Sequence, residues 1–385
     1  MPEKIGGYTG RMLYLDLGKK EFDIEPLNRE LIENFTGGYS INLKLAMDLI
    51  PPRVAPFSSE NKIVLGAGPF NGTFIPGGAK THATTVSPLN GSFIRASGGG
   101  ALGAMLKSCG YDHLVISGKS SDPIYLKIQK NGVKFCEAHT LWGKDIYETV
   151  DTLKHAHNPC SVLPIGPARE NLVNISLCCI DKFSTLGRGG LAAVMGSKNL
   201  KAIVVCRDSY RIKAASPQDL SALVNGLQER MIKWSGRDLV LRYGVGYEAV
   251  KETVEGPNIY NNWTCASTPS EEEVGKKYPF LQMYENNRKT LSCPSCLLAD
   301  KEVVQAVPGG PVFYGDHLAA VDVDKDCFHR AVEYSAYLNR LGLDRFDFAS
   351  LVSLVAVLYR EGLVNLKDTE GKRQITPTLT FKTGE

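Results

Sequence analysis

Two glycine clusters constrain the fold of this chain most strongly. Each follows an apolar stretch, opens a short helix and leads into a β-branched strand, the first within residues 94–118 and the second within residues 185–206. Glycines at a helix start let backbone N–H groups approach an anion, and the helix dipole favours negative charge there. Two such units predict two phosphate groups held by equivalent halves. The alternative is that the glycines only allow tight turns and close helix–sheet packing.

The composition excludes several classes of protein. A formal net charge of +3 over 385 residues, without long runs of like charge, argues against nucleic-acid binding. No segment has the apolar length of a signal peptide or a membrane span, so a cytoplasmic protein without membrane contact is expected. Ten cysteines then indicate buried thiols, metal ligands or redox groups rather than disulfides. Burial is expected for Cys136, Cys178, Cys179 and Cys206, which lie in apolar strand-like segments.

The periodicity of apolar residues predicts an α+β protein in two parts, a β-rich domain over residues 1–210 and a mostly helical domain over residues 211–385. In the first part, one continuous helix is predicted over residues 29–49 and a strand over residues 173–180. An Asn-Gly turn predicts a hairpin over residues 124–137. The helices predicted in the second part cover residues 218–234, 238–254, 316–341 and 346–362.

Both clusters also match the Gly-x-Gly-x-x-Gly/Ala pattern of dinucleotide sites, at residues 98–103 and 187–192. That pattern needs a preceding strand, a full crossover helix and an acid about 20 residues further on. The first cluster lacks the acid, and residues 196–199 limit the second helix to about two turns, which is short for a parallel crossover. An NAD- or ATP-dependent enzyme is therefore a minor alternative.

A different candidate site is the Cys-x2-Cys motif of Cys293 and Cys296, which is followed by Asp300. Closely spaced thiols in an irregular segment are typical of metal or iron–sulfur ligation, because one turn can aim two sulfurs at one centre. A zinc ribbon would need a second Cys-x2-Cys, and a redox dithiol would need a flanking strand and helix. Two unligated loop cysteines remain the other interpretation.

Residues 339–344 close a predicted helix, with Gly342 just past its C-cap and Leu343 folding back onto it. Helix termination is one interpretation of this segment. The other is that Asn339 and Asp344 flank an exposed turn and hydrogen-bond a polar heterocycle.

Short motifs from residue 7 to about residue 365 carry a family resemblance. They are Gly7-Tyr8-Thr9-Gly10, Pro69-Phe70-Asn71-Gly72, Ser87-Pro88-Leu89, Ala96-Ser97-Gly98-Gly99, Gly110-Tyr111-Asp112, the Cys-x2-Cys, Leu341-Gly342-Leu343-Asp344 and the highly specific run GRGGLAAVMGSKNLKAI at residues 187–203. On these motifs the chain resembles the tungsten- or molybdenum-dependent aldehyde:ferredoxin oxidoreductases, and it looks like the first two domains of that family.

The resemblance implies a domain of two β-sheets that cradles two molybdopterin molecules carrying one tungsten or molybdenum, with Mg²⁺ bridging their phosphates. It also implies oxidation of an aldehyde to a carboxylic acid, with electrons passing through a [4Fe–4S] cluster to ferredoxin or another electron-transfer protein. Cys293, Cys296 and Asp300 would bind the cluster. The implied pterin-contacting positions are Lys80, Ala96, Ser97, Gly98, Thr185, Leu186, Gly187, Arg188, Asn339, Gly342, Leu343 and Asp344.

Four residues depart from the family pattern. Lys80 replaces an arginine, Asp300 replaces a cysteine, and Asn339 stands where an aspartate is frequent. Tyr314 replaces the glutamate expected beside the metal and is the predicted catalytic residue. A phenol is a poor base at neutral pH but can donate a hydrogen bond.

The family's later domain is not represented in this sequence, and with it a second pterin motif and the fourth cluster cysteine. We therefore expect one half of a split enzyme completed by a second chain, and a homodimer is a further expected assembly. The alternative is a non-catalytic relic or scaffold subunit. If a neighbour normally covers the helical domain, the apolar residues 351–358 should be partly exposed.

Overall fold

The computed structural model describes residues 5–171, 173–244, 258–260, 265–267, 288–304, 312–313, 328–365 and 367–368. The chain divides into two compact units. The first unit comprises Met1–Leu241, Leu291–Ala299 and Asn339–Asp344, and the second comprises Arg242–Thr290, Asp300–Leu338 and Arg345–Glu385. The domain boundary at residues 210/211 stays a prediction.

The first sheet of the first unit has six strands in the order β2-β1-β6-β3-β4-β5. Strands β1 and β6 are parallel, and the other neighbours are antiparallel. The strands are β1 (Arg11–Asp16), β2 (Glu21–Pro26), β3 (Ile63–Ala67), β4 (Thr81–Thr84), β5 (Ala96–Gly98) and β6 (His113–Ser117), accompanied by helices α1 (Arg29–Phe35), α2 (Tyr39–Leu49) and α3 (Leu102–Ser108).

The second sheet has the order β8-β7-β12-β9, and β10 and β11 form a separate antiparallel pair. The strands are β7 (Ile124–Gln129), β8 (Gly132–Glu137), β9 (Cys160–Pro164), β10 (Cys178–Ile180), β11 (Ser184–Leu186) and β12 (Leu200–Cys206), accompanied by helices α4 (Ile146–His157), α5 (Pro167–Glu170) and α6 (Leu191–Ser197). The hairpin predicted from the Asn-Gly turn is confirmed as β7 and β8.

The two halves repeat one arrangement of elements. Each starts with an antiparallel hairpin, continues through two α-helices and three strands, and ends with a glycine turn, a short helix and a strand parallel to the first strand of the hairpin. β6 and β12 also pair antiparallel with β3 and β9, which correspond to each other. The repeat visible in the sequence is thus the last part of a longer structural repeat.

Both halves contribute to one hydrophobic core. Its buried residues include Leu13, Leu65 and Leu114 from the first sheet and Leu126 and Ile203 from the second. Residues that face the other side of the first sheet form a second cluster with α2. Burial of such side chains stabilises by about 1.5–3 kcal/mol each.

Two predicted elements are wrong. The helix over residues 29–49 is broken between α1 and α2, because Thr36, Gly37 and Gly38 have φ angles of 56°, 125° and 56°. The strand over residues 173–180 shrinks to β10, because the backbone of the preceding residues pairs with a turn from residues 342–344 instead of a sheet.

Helices α7 (Pro217–Lys233) and α8 (Arg237–Tyr243) follow the second sheet, and α9 (Phe328–Leu341) and α10 (Arg345–Arg360) come later in the chain. These helices confirm the predicted order of sheets first and helices later. The remaining parts of the helices predicted over residues 238–254 and 316–341 lie outside the described residues.

The short strands are β13 (Asn258–Tyr260), β14 (Cys265–Ser267), β15 (Arg288–Leu291), β16 (Lys301–Val304) and β17 (Val312–Phe313). Within the described residues, none of the helices has the apolar length needed to span a membrane.

Candidate functional site

The strands that lead into the two glycine clusters, β5 and β11, lie against each other. A Cβ atom at Gly98 would lie 2.6 Å from Leu186 Cδ1 and 2.9 Å from the Thr185 carbonyl oxygen. Only glycine therefore fits at this contact. β4 pairs with β5 in the register Thr81↔Gly98, which places the backbone of Lys80 beside the same contact. The structure thus brings together the residues predicted from the two halves.

A third predicted segment joins the second half. The N–H of Leu177 donates to the Gly342 carbonyl at 2.8 Å, and the N–H of Asp344 donates to the Ile175 carbonyl at 2.9 Å. A Cβ atom at Gly187 would lie 3.5 Å from Asp344 Oδ2. The turn after α9 is therefore a neighbour of the second glycine cluster, although the two segments are distant in sequence.

The turn after α9 is buried, which corrects the expectation of an exposed turn. Asn339 and Asp344 are 2% and 4% exposed. Gly342 has a φ of 77°, as predicted for the residue after a C-cap. An ion pair of 2.7 Å between Arg340 and Asp145 fixes the end of α9 against the second half. Any ligand of Asn339 or Asp344 would therefore bind in an enclosed position.

The glycines of the second cluster have packing roles. Arg188, Gly189 and Gly190 have successive φ angles of 60°, 82° and 76°. A Cβ atom at Gly190 would lie 2.5 Å from Pro88 Cγ, and one at Gly189 would lie 2.5 Å from Ile94 Cγ2. Close packing explains these two glycines, as the simpler interpretation of the sequence proposed. The binding of two phosphate groups at the glycine clusters stays a prediction.

The topology excludes a dinucleotide-binding unit at the first cluster. β5 runs antiparallel to β4, β4 to β3 and β3 to β6, so β5 and β6 run in opposite directions. The connecting helix α3 has seven residues. A dinucleotide fingerprint requires parallel strands joined by a full crossover helix.

Some buried polar atoms beside the two glycine clusters have no hydrogen-bond partner among the described residues. Buried polar groups in native proteins are nearly always hydrogen-bonded, so such atoms indicate positions for a polar ligand or ordered water. Asn71 Oδ1 and Thr81 Oγ1 lie 2.4 and 2.9 Å from the Cβ position of Gly103, and Ser184 Oγ lies 3.5 Å from that of Gly100. Ser176 Oγ lies where residue 176 pairs with Leu343. Together with the close contact at Gly98, these atoms fit a polar cofactor.

The edge of the site is positively charged. Lys80, Arg95 and Arg188 are exposed cations on or beside the segments that carry the predicted cofactor residues. Burial, then Arg95 and Lys80, lower the pKa of His82 to about 4. The Arg95 guanidinium also lies 5.2 Å from the centre of the Tyr39 ring. Neutral His82 and two nearby cations suit an anionic ligand.

Sequence analysis missed Arg95, His82 and Thr81 as candidate site residues. Arg95 directly precedes the Ala96-Ser97-Gly98 motif, and this position in the sequence could have identified it. Nothing in the sequence marks Thr81 and His82 as site residues, because only the pairing of β4 with β5 places them beside the candidate site.

The two lysines of the most specific motif have structural roles instead. Lys198 is buried and donates to the carbonyl oxygens of Ser59 and Gly118 at 3.2 and 2.9 Å. Burial lowers the pKa of Lys198 to about 8. Lys201 is buried and pairs with Glu170 Oε1 at 2.6 Å. Lys198 thus fixes the start of β12 to loops of the first half, and Lys201 fixes β12 to α5.

A similar buried pair joins the first motifs of the chain. Asp112 pairs with Lys107 and accepts hydrogen bonds from the Thr9 hydroxyl and the Gly10 N–H, both at 2.8 Å. Lys107 Nζ also donates to the Gly7 carbonyl at 3.0 Å. The motifs at residues 7–10 and 110–112 therefore form one structural contact.

The Cys-x2-Cys loop lies against the first glycine cluster. The Gly100 N–H donates to Cys293 Sγ at 3.3 Å, and Ser295 Oγ donates to the Thr73 carbonyl at 2.9 Å. The Cys296 N–H closes a turn onto the Cys293 carbonyl at 3.1 Å. Both thiols are half-buried. This turn presents two sulfurs beside the β5 end of the candidate site.

The remaining predicted ligands are not assembled. Asp300 lies in the second unit, 3.9 Å from Lys301 Nζ. In the part of the chain that the structure describes, no three His, Cys, Asp or Glu side chains are grouped to hold a metal ion. The role of Asp300 stays a prediction, and Tyr314 lies outside the described residues. Cys178, Cys179 and Cys206 are buried as expected, whereas Cys136 is only half-buried.

Comparison with known proteins gives consistent matches. The sequence model of the aldehyde ferredoxin oxidoreductase N-terminal domain matches residues 12–207. The tungsten-containing aldehyde ferredoxin oxidoreductase of Pyrococcus furiosus is 29% identical over 371 residues, which are 94% of this chain and 60% of that protein. The enzyme of the same name from Pyrococcus abyssi is 29% identical over 96% of this chain and 61% of its own length.

More distant matches have other activities. The aliphatic sulfonate oxidoreductase, WOR-like subunit, of Pyrococcus furiosus is 24% identical over 94% of this chain and 61% of that protein. Among solved structures, a chain of the active site complex BamBC of benzoyl coenzyme A reductase superposes with a TM-score of 0.86 and 25% identity, covering 96% of this chain and 58% of that one. The present chain therefore spans about 60% of the length of these relatives.

Proposed function

This chain belongs to the aldehyde ferredoxin oxidoreductase family, and we propose that it oxidises an aldehyde to a carboxylic acid at a tungsten or molybdenum centre held by two molybdopterins. The observation that carries the proposal is that β5 lies against β11 and that the Leu343–Asp344 turn lies beside the glycine cluster that follows β11, with Ser176 Oγ and Ser184 Oγ buried and unpartnered among the described residues. The overall change is aldehyde plus water to carboxylic acid, two protons and two electrons. The metal–pterin group supplies the two-electron chemistry when it is bound.

The residues of the chain hold and orient this group. When the group is bound, the exposed cations Lys80 and Arg188 would neutralise the pterin phosphates together with Mg²⁺. The backbone of residues 96–98 and 185–187 lies at the contact between the halves, and Asn339, Gly342, Leu343 and Asp344 would bind one pterin in an enclosed position. Tyr314 would donate a hydrogen bond beside the metal.

An iron–sulfur cluster, when bound, would supply the path for electrons. Cys293 and Cys296 would hold it through two thiolates, and the family resemblance implies Asp300 as a carboxylate ligand, which is harder and weaker for iron. Ferredoxin or another electron-transfer protein is the acceptor, and the reaction takes place in the cytoplasm.

A second chain completes the enzyme. Leu351, Leu354 and Val355 on α10 are 46%, 52% and 36% exposed, as expected for an apolar segment that a neighbour covers. The alternative function is that of a non-catalytic scaffold.

Metal analysis after anaerobic purification tests the proposal, with the chain expressed alone and together with the products of neighbouring genes. We expect about one tungsten or molybdenum and about four iron atoms per chain, together with aldehyde-dependent reduction of a viologen dye. If the co-expressed protein contains no tungsten or molybdenum and no iron, the proposal is refuted and the non-catalytic scaffold is the remaining function. Sulfonate and CoA-thioester substrates, assayed in parallel, test whether the substrate class follows the more distant relatives.

A further inference from the structure

Two cysteines lie opposite each other at one end of the second sheet. The register of β9 and β12 pairs Cys160 with Cys206, and β9 begins at Cys160 whereas β12 ends at Cys206. The pair is therefore the last one of this ladder. Residues that lie directly opposite in a sheet carry their side chains on the same face, so the two thiols are neighbours.

The hydrogen bonds of the ladder define the type of this pair. The Arg207 N–H donates to the Pro159 carbonyl at 2.8 Å, and the Ile165 N–H donates to the Lys201 carbonyl at 3.0 Å. Hydrogen-bonded and non-hydrogen-bonded pairs alternate along an antiparallel ladder, and both of these bonds belong to hydrogen-bonded pairs. The Cys160–Cys206 pair lies an odd number of residues from each of them, so it is a non-hydrogen-bonded pair.

This type of pair suits a disulfide. In a non-hydrogen-bonded pair the Cα atoms are about 4.5 Å apart and the side chains approach most closely. Disulfides join residues whose Cα atoms are about 4.4–6.8 Å apart. Both thiols are free, and closing the bond requires side-chain rotation rather than movement of a strand.

The other cysteines in the described strands have no cysteine opposite them. Cys136, Cys178, Cys179 and Cys265 lie opposite Tyr125, Leu186, Thr185 and Tyr260. The Cys109 thiol donates to the Cys206 carbonyl at 2.9 Å, but Cys109 belongs to the hydrophobic core together with Val205. Successive side chains of a strand point to opposite faces, so the Cys206 side chain points away from that core and from Cys109.

The pair is accessible to a small oxidant only. Cys160 and Cys206 are 5% and 8% exposed. Burial raises the pKa of both thiols, that of Cys160 to about 11. Since the thiolate is the reacting form, oxidation is slow at neutral pH and should become about tenfold faster per pH unit below the thiol pKa.

We propose that Cys160 and Cys206 form a reversible cross-strand disulfide when the protein meets a peroxide. One thiolate attacks the O–O bond, its sulfur becomes a sulfenic acid, and the released hydroxide takes up a proton to give water. The other thiol attacks this sulfur, so that the S–S bond forms, the S–O bond breaks and a second water leaves. Two thiols and one hydrogen peroxide thus give one disulfide and two waters, and two electrons pass from the sulfurs to the peroxide.

The bridge encloses the second half of the candidate site. The segment between the two cysteines contains β10, β11 and the second glycine cluster. A disulfide stabilises mainly by restricting the unfolded chain, so the oxidised protein should unfold at a higher temperature. The inference is independent of the proposed function, because neither cysteine is assigned to a cofactor.

Mass spectrometry of the full chain tests the proposal. The reduced protein is treated with hydrogen peroxide, its remaining thiols are blocked, and it is digested without reductant. We expect peptides linked through Cys160 and Cys206 that form faster at about pH 9 than at about pH 7 and disappear with dithiothreitol. The same oxidation in denaturant is the reference for random pairing. A linked product that is no more abundant from the folded chain, or oxidation of both thiols without a link, would overturn the proposal.

Thermal unfolding provides the second arm. Peroxide should raise the melting temperature of the unmodified chain by about 5 °C or more, and dithiothreitol should reverse the rise. Cys160→Ala should lose the rise, and because it keeps Cys293 and Cys296 it also measures any effect of their oxidation. The matched control Cys136→Ala removes a thiol of the same sheet and should keep the rise. An equal rise in Cys160→Ala and in the unmodified chain contradicts the bridge. If Cys160→Ala does not fold, Cys206→Ala replaces it, and the linked peptides of the unmodified chain decide without any variant.

Discussion

The two halves of the β-rich region have the same order of elements but use polar residues differently. In the second half the buried cations Lys198 and Lys201 are satisfied by carbonyl groups and by Glu170. In the first half, β4 carries Thr81, His82 and Thr84, whose buried polar atoms have no hydrogen-bond partner among the described residues. The corresponding strand of the second half, β10, is Cys178–Ile180 and is fully buried. The repeat therefore supplies a common framework, whereas the polarity of corresponding strands differs between the halves.

The largest expected change in the free energy of unfolding follows from replacing a buried, paired lysine of the second half. Lys201→Met leaves Glu170 buried without its partner and should lower the free energy of unfolding by about 3–5 kcal/mol. Chemical denaturation measures this change. Lys182→Met is the control, because Lys182 pairs with the exposed Asp151 and should cost under about 1 kcal/mol. Equal losses in the two variants would contradict a structural role for the motif lysines.

A pH effect of similar size is expected from the first half. Burial lowers the pKa of His113 from 6.5 to about 4. The unfolded chain therefore binds a proton that the native chain does not, so stability is complete above about pH 6.5 and falls by roughly 3 kcal/mol as the pH drops to about 4. In the native state the His113 Nδ1–H donates to Asn42 Oδ1 at 2.7 Å.

Unfolding by denaturant at several pH values measures this loss. His113→Gln should reduce the pH dependence between pH 6.5 and pH 4 by about half, because His82, whose pKa is also lowered to about 4, keeps its own contribution. His155→Gln, at an exposed position on α4, should leave the slope unchanged. An unchanged slope in His113→Gln would show that His113 does not carry this part of the pH dependence.

The contact between the halves gives a smaller effect on stability and a larger one on metal content. A valine at residue 98 would press against Thr185 and Leu186, so Gly98→Val should cost about 1–3 kcal/mol and abolish tungsten or molybdenum incorporation. The control is Gly226→Ala on α7, where a Cβ atom meets open space and should stabilise by about 0.5–1 kcal/mol. Normal metal content in Gly98→Val would show that cofactor binding does not require the close β5–β11 contact.

The smallest effect on stability is expected at the exposed edge of the first half. Lys80→Ala should change the free energy of unfolding by less than about 0.5 kcal/mol and should still reduce the metal content of the purified chain. Lys62→Ala is the control, because it also removes a lysine beside the first sheet and should leave the metal content unchanged. Lys62 Nζ donates to the Leu49 carbonyl at 2.6 Å, so this control has its own effect on stability. Full metal content in Lys80→Ala would remove Lys80 from the site.

Sequence analysis predicted what depends on local conformation. The β7–β8 hairpin follows from Asn-Gly, the glycine turns open α3 and α6, and the positive φ of Gly342 follows from its place after a helix. It failed where neighbours distant in sequence compete for the backbone. The predicted strand over residues 173–180 instead pairs with residues 342–344, and the helix over residues 29–49 breaks at two adjacent glycines.

The amino-acid sequence by itself determined the family, the duplicated glycine units and the candidate ligand types, because these depend on residue identity and short spacing. Only the tertiary structure decided which of them meet. Whether a lysine faces a phosphate or a carbonyl group, and whether Asn339 and Asp344 are exposed or buried, depends on residues 80 or more positions away. Burial and hydrogen-bond partners are properties of the packed chain, so a linear pattern can name the groups but cannot assign their partners.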